Sequence, residues 1–231
     1  MADNNRGFTP TPRKKNALDS KKLNLVAPCP TAPGKRSSLI WGVYSNNPRL
    51  TVYTGDPEDS SERTGYGKIA ANLDTPTFFA FIEMLEAAAK STEECKQKID
   101  NKGFTWFGGK RSEVPVVVNS LIVGKDAEGC VWVSVVADNR PIIKFFIGPS
   151  EFHVLYHSTG KPFSKAEASS LYAVAYCQLL RNMVGNVLVT EYTEEVAKKP
   201  FNQTGGNNNQ NGGGGGYNKP QNNGYTEDIP F

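Results

Sequence analysis

The chain has 231 residues, of which 38% are hydrophobic, and a net charge of +3 at pH 7, so it accommodates one domain of ordinary size with tails. It shows neither a hydrophobic stretch of membrane length nor a signal-peptide pattern, which predicts a soluble cytoplasmic protein without a membrane partner. The cysteines have no CxxC spacing, which argues against a zinc site and predicts reduced thiols; they are Cys29, Cys95, Cys130 and Cys177.

Charge and composition divide the chain into four parts. Lys and Arg outnumber Asp and Glu by eight to two in residues 1–40, but the counts are seventeen to nineteen in 41–199 and one to two in 200–231. A cationic arm favours a polyanion such as nucleic acid. We predict a basic, mostly flexible arm (1–38), a folded nucleic-acid-binding domain (39–196), a disordered Gly/Asn/Gln-rich linker (197–224) and an acidic tip (225–231).

The first half of the folded domain has a β pattern. Leu39–Ser45 and Arg49–Thr54 flank the turn-forming trio Asn46-Asn47-Pro48, which predicts a hairpin. Tyr66–Leu73 alternates apolar and polar residues and is predicted as the next strand. Within the arm, the Leu23–Val26 patch adds a short strand or docks on the body.

Two helices are predicted, each with a start signal. Thr75 and Pro76 open the first, whose apolar residues Phe78, Ile82, Leu85 and Ala89 recur at helical spacing, and a charged helical turn follows at Thr92–Ile99. A capping box at Ser164 and Glu167 opens the second, which runs to about Val184.

The remaining apolar runs are read as strands separated by glycine- and asparagine-containing turns. They are Phe104–Phe107, Val114–Val123, Cys130–Ala137, Ile142–Ile147 and a last strand at Asn186–Tyr192. The predicted fold class is a β-rich α+β domain, an OB-fold-like (oligonucleotide-binding) barrel with one helix between strands three and four and an additional long C-terminal helix.

Aromatic and basic residues alternate on two of the predicted strands. Arg49 and Tyr53 share one face of their strand, and Tyr66 and Lys68 share one face of the next. Single-stranded nucleic acid is bound by this mixture, because cations follow the phosphates while aromatic rings stack on bases. The alternative is that the tyrosines only flank a sheet with their hydroxyl groups in water.

A second aromatic–basic group surrounds a Gly-Gly turn. The cations Lys110 and Arg111 follow it and are predicted to meet phosphates, and Lys144 is a candidate for the same cationic groove. The rings before the turn are predicted to include at least one in the core and at least one exposed; they are Phe104, Trp106 and Phe107. Trp41 and Trp132 lie in apolar strands and are predicted to be buried.

Enzymatic signatures are weak. His153 and His157 have an i, i+4 spacing, but no glutamate follows the first histidine as in a metalloprotease helix. The acidic residues of the segment 56–62 are better explained as a solvated loop than as a cation site. We therefore predict no catalytic residues, no metal and no cofactor.

The last residues of the chain form a third group. Pro230 restricts the backbone before Phe231, so little entropy is lost when a partner orders the terminal ring. A partner can take the ring in an apolar pocket and the α-carboxylate on a cation, while a basic rim meets the acidic residues. The predicted partner-binding residues are Glu227, Asp228, Ile229, Pro230 and Phe231.

The ending Asp228-Ile229-Pro230-Phe231, after the Asn/Gly/Gln run 202–224, resembles single-stranded DNA-binding proteins of the bacterial and bacteriophage type. Those proteins combine an OB-fold with such a linker and an acidic tip of this kind. The resemblance covers about the last thirty residues. The basic arm and the second long helix depart from the bacterial form and favour a divergent phage protein in the bacterial host cytoplasm, so bacterial-type tetramerisation is not carried over and the oligomeric state stays open.

The resemblance implies a non-enzymatic protein that coats single-stranded DNA, whatever its sequence, in replication, recombination and repair. Its tip would recruit replication or recombination proteins of the polymerase, primase or helicase type, and would compete with DNA for the cationic groove. Two alternatives stay open: an RNA-binding or strand-annealing protein with the same groove chemistry, and a protein-interaction adaptor that binds no nucleic acid.

Overall fold

A computed structural model of the protein describes residues 15–61, 65–108 and 110–193, without the side chains of 60, 61, 65, 66 and 107. The chain divides into two units, Met1–Glu195 and Val196–Phe231, and every described helix and strand belongs to the first. The predicted linker and tip, and the first fourteen residues of the arm, lie outside the described residues.

Four strands form the first antiparallel sheet, in the spatial order β1-β2-β3-β6; they are β1 (Leu25–Pro28), β2 (Arg36–Tyr44), β3 (Asn47–Tyr53) and β6 (Lys68–Asn72). Between β3 and β6, the two-residue strands β4 (Ser60–Ser61) and β5 (Gly65–Tyr66) pair with each other. The Leu23–Val26 patch contributes to β1, which confirms the prediction that part of the arm adds a strand.

Helix α1 (Thr75–Lys90) follows the first sheet. The second antiparallel sheet has the order β12-β11-β10-β7, with β7 (Cys95–Gly103), β10 (Val116–Lys125), β11 (Val131–Val136) and β12 (Phe145–Phe146). A small hairpin, β8 (Trp106–Phe107) and β9 (Lys110–Arg111), lies between β7 and β10, and helix α2 (Lys165–Thr190) ends the described part.

The architecture is therefore mixed α+β, with the order of four-stranded sheet and helix occurring twice. The described strands form two four-stranded sheets and two small two-stranded hairpins, and they do not close into a barrel. The helix predicted between strands three and four instead follows the complete first sheet, whereas the additional long C-terminal helix is confirmed. None of the helices in the described ranges combines the length and the apolar character needed to cross a membrane.

The turn between β2 and β3 differs from the predicted trio. Tyr44 pairs with Asn47, so the loop contains only Ser45 and Asn46, which have φ values of 47° and 58°. Two successive residues with positive φ are typical of the type I′ turn, whose twist matches the twist of the flanking strands. Pro48 accordingly lies in β3, opposite Val43, rather than in the turn.

Two further predictions of secondary structure were wrong, and a third holds only in part. The charged segment predicted as a helical turn at Thr92–Ile99 enters β7, because pairing with β10 along its whole length outweighs local helix propensity. The last strand predicted at Asn186–Tyr192 is instead the end of α2, which continues to Thr190 because Val184 and Val187 extend the buried face of the helix. The run Ile142–Ile147 forms only the two-residue strand β12.

Both helices and both sheets contribute to one hydrophobic core. In the first sheet, Leu50 and Val52 of β3 are fully buried, and Ile69 and Ala71 of β6 lie with them. Tyr176 of α2 joins the core to the N-terminal segment: its hydroxyl group accepts a hydrogen bond from the Trp41 indole at 3.0 Å and donates one to the Leu23 carbonyl at 2.8 Å. Burial raises the pKa of this hydroxyl group above its ordinary range, so it remains a donor.

The N-terminal cap of α2 is the one that the sequence predicts. The Ser164 side chain accepts a hydrogen bond from the Glu167 N–H, and the Glu167 carboxylate accepts one from the Ser164 N–H, which confirms the capping box. Helix α1 is capped by Asp74 rather than by Thr75, which is its first residue. At the other end of α1, the buried Lys125 ammonium donates to the carbonyl of Ser91 at 2.6 Å and to that of Ala89 at 3.3 Å.

A close contact in the second sheet leads to a stability prediction. A Cβ atom added to Gly124 would lie 2.6 Å from the Trp132 ring and 2.9 Å from the Cys95 carbonyl oxygen, which is backbone. We expect Gly124→Ala to lower the free energy of unfolding by about 1–3 kcal/mol, as overpacking does, in urea denaturation followed by circular dichroism. Gly185→Ala is the control, because a Cβ atom there has no neighbour within 4 Å; equal stabilities of the two variants would contradict the prediction.

Candidate nucleic-acid interface

The outward-facing side of the first sheet brings together three of the predicted site residues. Strand alternation places Leu50 and Val52 in the core, so Arg49 and Tyr53 lie on the opposite side. Lys68 of β6 is the cross-strand neighbour of Tyr53. The Tyr53 side chain is 40% exposed, so its ring is available to a ligand.

The same surface contains two residues that sequence reasoning did not select. Arg36 and Tyr44 lie at the two ends of β2, on the side opposite the buried Leu39 and Trp41, and both are exposed. The Arg49 guanidinium carbon lies 4.8 Å from the centre of the Tyr44 ring, a cation–π contact. Alternation along the predicted strand Leu39–Ser45 indicates Tyr44, whereas Arg36 lies before that strand and joins the face only because β2 begins at Arg36. We call this surface the aromatic–basic face; it consists of Arg36, Tyr44, Arg49, Tyr53 and Lys68.

The hairpin β8–β9 presents a second group of predicted residues. Trp106 pairs with Arg111 in the register, and the Arg111 guanidinium carbon lies 3.6 Å from the centre of the Phe104 ring. Trp106 is 58% exposed, whereas Trp41 and Trp132 are 2% and 5% exposed, as predicted. Lys110 is also exposed. Gly108 has a φ of +57°, a turn conformation that glycine adopts without strain.

The strand that leads away from the hairpin is unusually exposed for its composition. Val116, Val117 and Val118 are each 38–44% exposed, although they are consecutive in β10. Val116 and Val117 precede a bulge in the pairing with β7, so their side chains point to opposite sides, and both sides of this part of the ribbon face solvent. Contiguous exposed apolar surface is typical of binding sites, so the hairpin and its stem have the character of an interaction arm.

Lys144 does not join the aromatic–basic face. Its ammonium nitrogen lies 4.7 Å from the centre of the Trp132 ring of β11, so Lys144 lies beside the second sheet, just before β12. The side chains of Tyr66 and Phe107, both predicted site residues, lie outside the described part of the chain. The predicted residues therefore fall on three surfaces: the first sheet, the hairpin and the second sheet.

Comparison with known proteins assigns no family to these surfaces. No protein-family model, no curated protein and no solved structure matches the chain.

The acidic loop after β3 is occupied by internal contacts. The Asp59 carboxylate accepts hydrogen bonds from Arg140 at 2.7 Å and from the Thr54 hydroxyl group at 2.6 Å. The Asp56 carboxylate accepts one from the Thr31 hydroxyl group at 2.5 Å, and this contact lowers the pKa of Asp56. These contacts hold the loop together, and the Asp59 side chain is only 7% exposed, so this part of the segment is not the solvated loop that the sequence predicts.

The two histidines have separate partners. The Nδ1 atom of His153 is hydrogen-bonded to the Ser150 hydroxyl group at 2.8 Å. The His157 ring stacks on Phe163 with ring centres 4.1 Å apart, and its Nε2 atom lies 3.5 Å from the Glu167 carboxylate. Each histidine therefore contributes to local structure.

Proposed function

We propose that this protein binds single-stranded DNA with little sequence preference and coats it during replication, recombination and repair. The observation that carries the proposal is the aromatic–basic face, where two exposed tyrosines and three cations share one side of a sheet. Such a surface offers both of the contacts that a single strand requires, cations for phosphates and rings for bases.

The arrangement favours a single strand over a duplex. In a duplex the base faces are stacked on one another, so an aromatic ring on a protein surface reaches only the backbone and the groove edges. In a single strand the faces are accessible, and stacking contributes about 1–3 kcal/mol per base with little dependence on sequence. Tyr53 and Tyr44 supply this stacking contribution. The salt-dependent contribution to the affinity comes from Arg36, Arg49 and Lys68.

The proposal does not require a closed barrel. A relation of the β-rich body to the OB-fold remains a prediction, supported by the β-rich core and by the helix that interrupts the succession of strands. One exposed sheet face with an adjoining interaction arm presents the rings and cations that a single strand requires. The adjoining interaction arm is the β8–β9 hairpin, with Phe104, Trp106 and Arg111.

The recruitment of replication proteins is proposed from the sequence of the tip. Residues Glu227–Phe231 combine two carboxylates with Ile229, Pro230 and a terminal aromatic residue. A basic rim and an apolar pocket on a polymerase, primase or helicase would complement them. This part of the proposal is independent of the aromatic–basic face.

The fluorescence of Trp106 provides a direct test of binding. Because Trp41 and Trp132 are buried, we expect a change in tryptophan emission on addition of oligothymidylate, and we expect Trp106→Phe to abolish that change. Titration at increasing salt should show an affinity that falls steeply, with a slope of about −0.7 per phosphate contacted. A duplex of the same length should bind much more weakly; equal affinity for both would contradict the proposal.

A second candidate function, protein-interaction adaptor, is favoured by one observation, the exposed valines at the start of β10. The two functions give opposite results in the same experiment. An adaptor would show no change in emission and no salt-dependent binding with any oligonucleotide. Deletion of Glu227–Phe231 separates recruitment from binding, since it should abolish capture of replication proteins and preserve or strengthen single-strand binding.

A further inference from the structure

A cleft opens beside Tyr53, where β1 stops pairing with β2. Strand β1 pairs only with residues Arg36 to Leu39 of β2, whereas β2 continues to Tyr44. Beyond that point the N-terminal segment forms the facing wall. The cleft has a volume of about 270 Å³, and its lining includes Lys21, Asn24, Ile40, Gly42, Thr51 and Tyr53.

The wall formed by the N-terminal segment is held firmly. Asn16 caps the 3-10 turn Ala17–Ser20, and Leu18 and Leu23 are buried in the core. The Leu23 carbonyl accepts the hydrogen bond from Tyr176 described above. Lys21 is fixed at the cleft in a left-handed conformation, with a φ of 61°, which is uncommon for this residue type. The cleft is therefore formed before any ligand binds.

The floor of the cleft contains a glycine that the fold itself does not require. A Cβ atom on Gly42 would have no neighbour within 4 Å, and the φ of this residue is not in the left-handed region. Glycine weakens a strand, and its presence there often marks a place where a ligand approaches closely. Ile40 and Thr51, which are paired in the register, form the adjacent part of the floor.

The charges around the cleft identify the kind of group that it accepts. Asp19 also lines it, and the Asp19 carboxylate accepts a hydrogen bond from the Asn16 N–H at 2.7 Å. A carboxylate repels a phosphate but accepts hydrogen bonds from the N–H groups of a neutral heterocycle. Two cations accompany Tyr53: Lys21 lines the same cleft, and Lys68 is the cross-strand neighbour of Tyr53 on β6.

We propose that this cleft binds one unstacked nucleobase of a single strand, which rests over Gly42 and against the Tyr53 ring while its flanking phosphates meet Lys21 and Lys68. The volume is below the range of pockets for drug-sized ligands, about 300–1,000 Å³, and suits a single heterocycle. Bases extruded in this way are commonly stacked on aromatic side chains. The inference rests on the proposed function, since it assigns a subsite within the same face.

The test is to fill the cleft without changing any charge. Gly42→Val places a β-branched side chain in open space on a strand, which favours such residues. We expect it to weaken binding of oligothymidylate about tenfold, the loss of one stacked base, and to leave unchanged the binding of an abasic oligonucleotide with the same phosphates. Gly185→Val on α2 is the matched control, because a Cβ atom there also meets nothing within 4 Å.

The outcomes separate the cleft from the face as a whole. If Gly42→Val binds oligothymidylate like wild type, or loses affinity equally for both oligonucleotides, the cleft proposal is overturned and the proposed function stands. If the wild-type protein binds neither oligonucleotide, both fail. A measurement on the wild-type protein guards against a folding defect: ultraviolet crosslinking of an iododeoxyuridine oligonucleotide should map to Tyr53, and crosslinks confined to Phe104 and Trp106 would overturn the cleft.

Discussion

Removing three cations from the aromatic–basic face, in the variant Arg36→Ala/Arg49→Ala/Lys68→Ala, is expected to weaken single-strand binding about a hundredfold at ~0.1 M salt. Each phosphate contact with a single strand releases about 0.7 of a counterion, so three lost contacts reduce the slope of log affinity against log salt by about 2. The measurement is fluorescence anisotropy with labelled oligothymidylate over a range of salt concentrations. At high salt the difference between variant and wild type should shrink, because the lost term is the salt-dependent one.

A matched control separates position from net charge. Lys90, Lys161 and Lys165 are exposed lysines at the end of α1, before α2 and in the first turn of α2. Their triple replacement by alanine removes the same charge without touching the first sheet. If this control loses as much affinity and salt dependence as the face variant, binding is a general attraction to a basic protein and the face has no special role.

Breaking the ion pair between Arg140 and Asp59 is expected to lower the free energy of unfolding by about 3–5 kcal/mol. The side chains are only 14% and 7% exposed, and the pair joins the loop after β3 to the loop after β11, so it connects the two halves of the fold. Arg140→Met leaves the Asp59 carboxylate buried, and among the described residues the Thr54 hydroxyl group is then its remaining side-chain donor. Urea denaturation of the variant measures the loss.

The cause of that loss can be checked in a second variant. Arg140→Met/Asp59→Asn removes both charges and keeps an acceptor for Thr54, so it should be more stable than Arg140→Met alone. Lys165→Met breaks the pair of Lys165 with Glu128, whose side chains are 76% and 70% exposed, and should have no measurable effect. If the double variant is no more stable than Arg140→Met, the destabilisation does not come from an uncompensated charge.

The part of the face that sequence could predict follows from the period of a strand. Because side chains alternate, the apolar Leu50 and Val52 determine that Arg49 and Tyr53 point the other way, whatever the strand packs against. The pairing of Tyr53 with Lys68 was not predictable in the same way, since it depends on the register between β3 and β6. These strands are separated by fourteen residues, which include a small hairpin. Tyr44 needed only the same alternation along β2.

Predictions failed where tertiary contacts outweigh local preference. Lys96, Gln97 and Lys98 favour a helix by propensity, yet they lie in an edge strand because β10 offers backbone hydrogen-bond partners along its length. Sequence also does not specify that Lys144 lies on a different sheet from Arg49, because sheet membership is decided by contacts between distant segments. The cleft beside Tyr53 could not be predicted for the same reason, since its two walls come from distant segments, residues 18–24 and the strands β2 and β3.

The described chain ends next to the face that is proposed to bind DNA. The Asn46 side chain, in the turn between β2 and β3, donates a hydrogen bond to the Thr193 carbonyl at 2.6 Å and accepts one from the Thr193 N–H at 3.0 Å. Thr193, the last described residue, is thus held at the turn that connects the strands of Tyr44 and Arg49. Under the proposed function, a partner captured by the tip is held at a high effective concentration near the bound strand. Hand-over of DNA to that partner then becomes an intramolecular step, whose rate does not depend on how dilute the partner is in the cell.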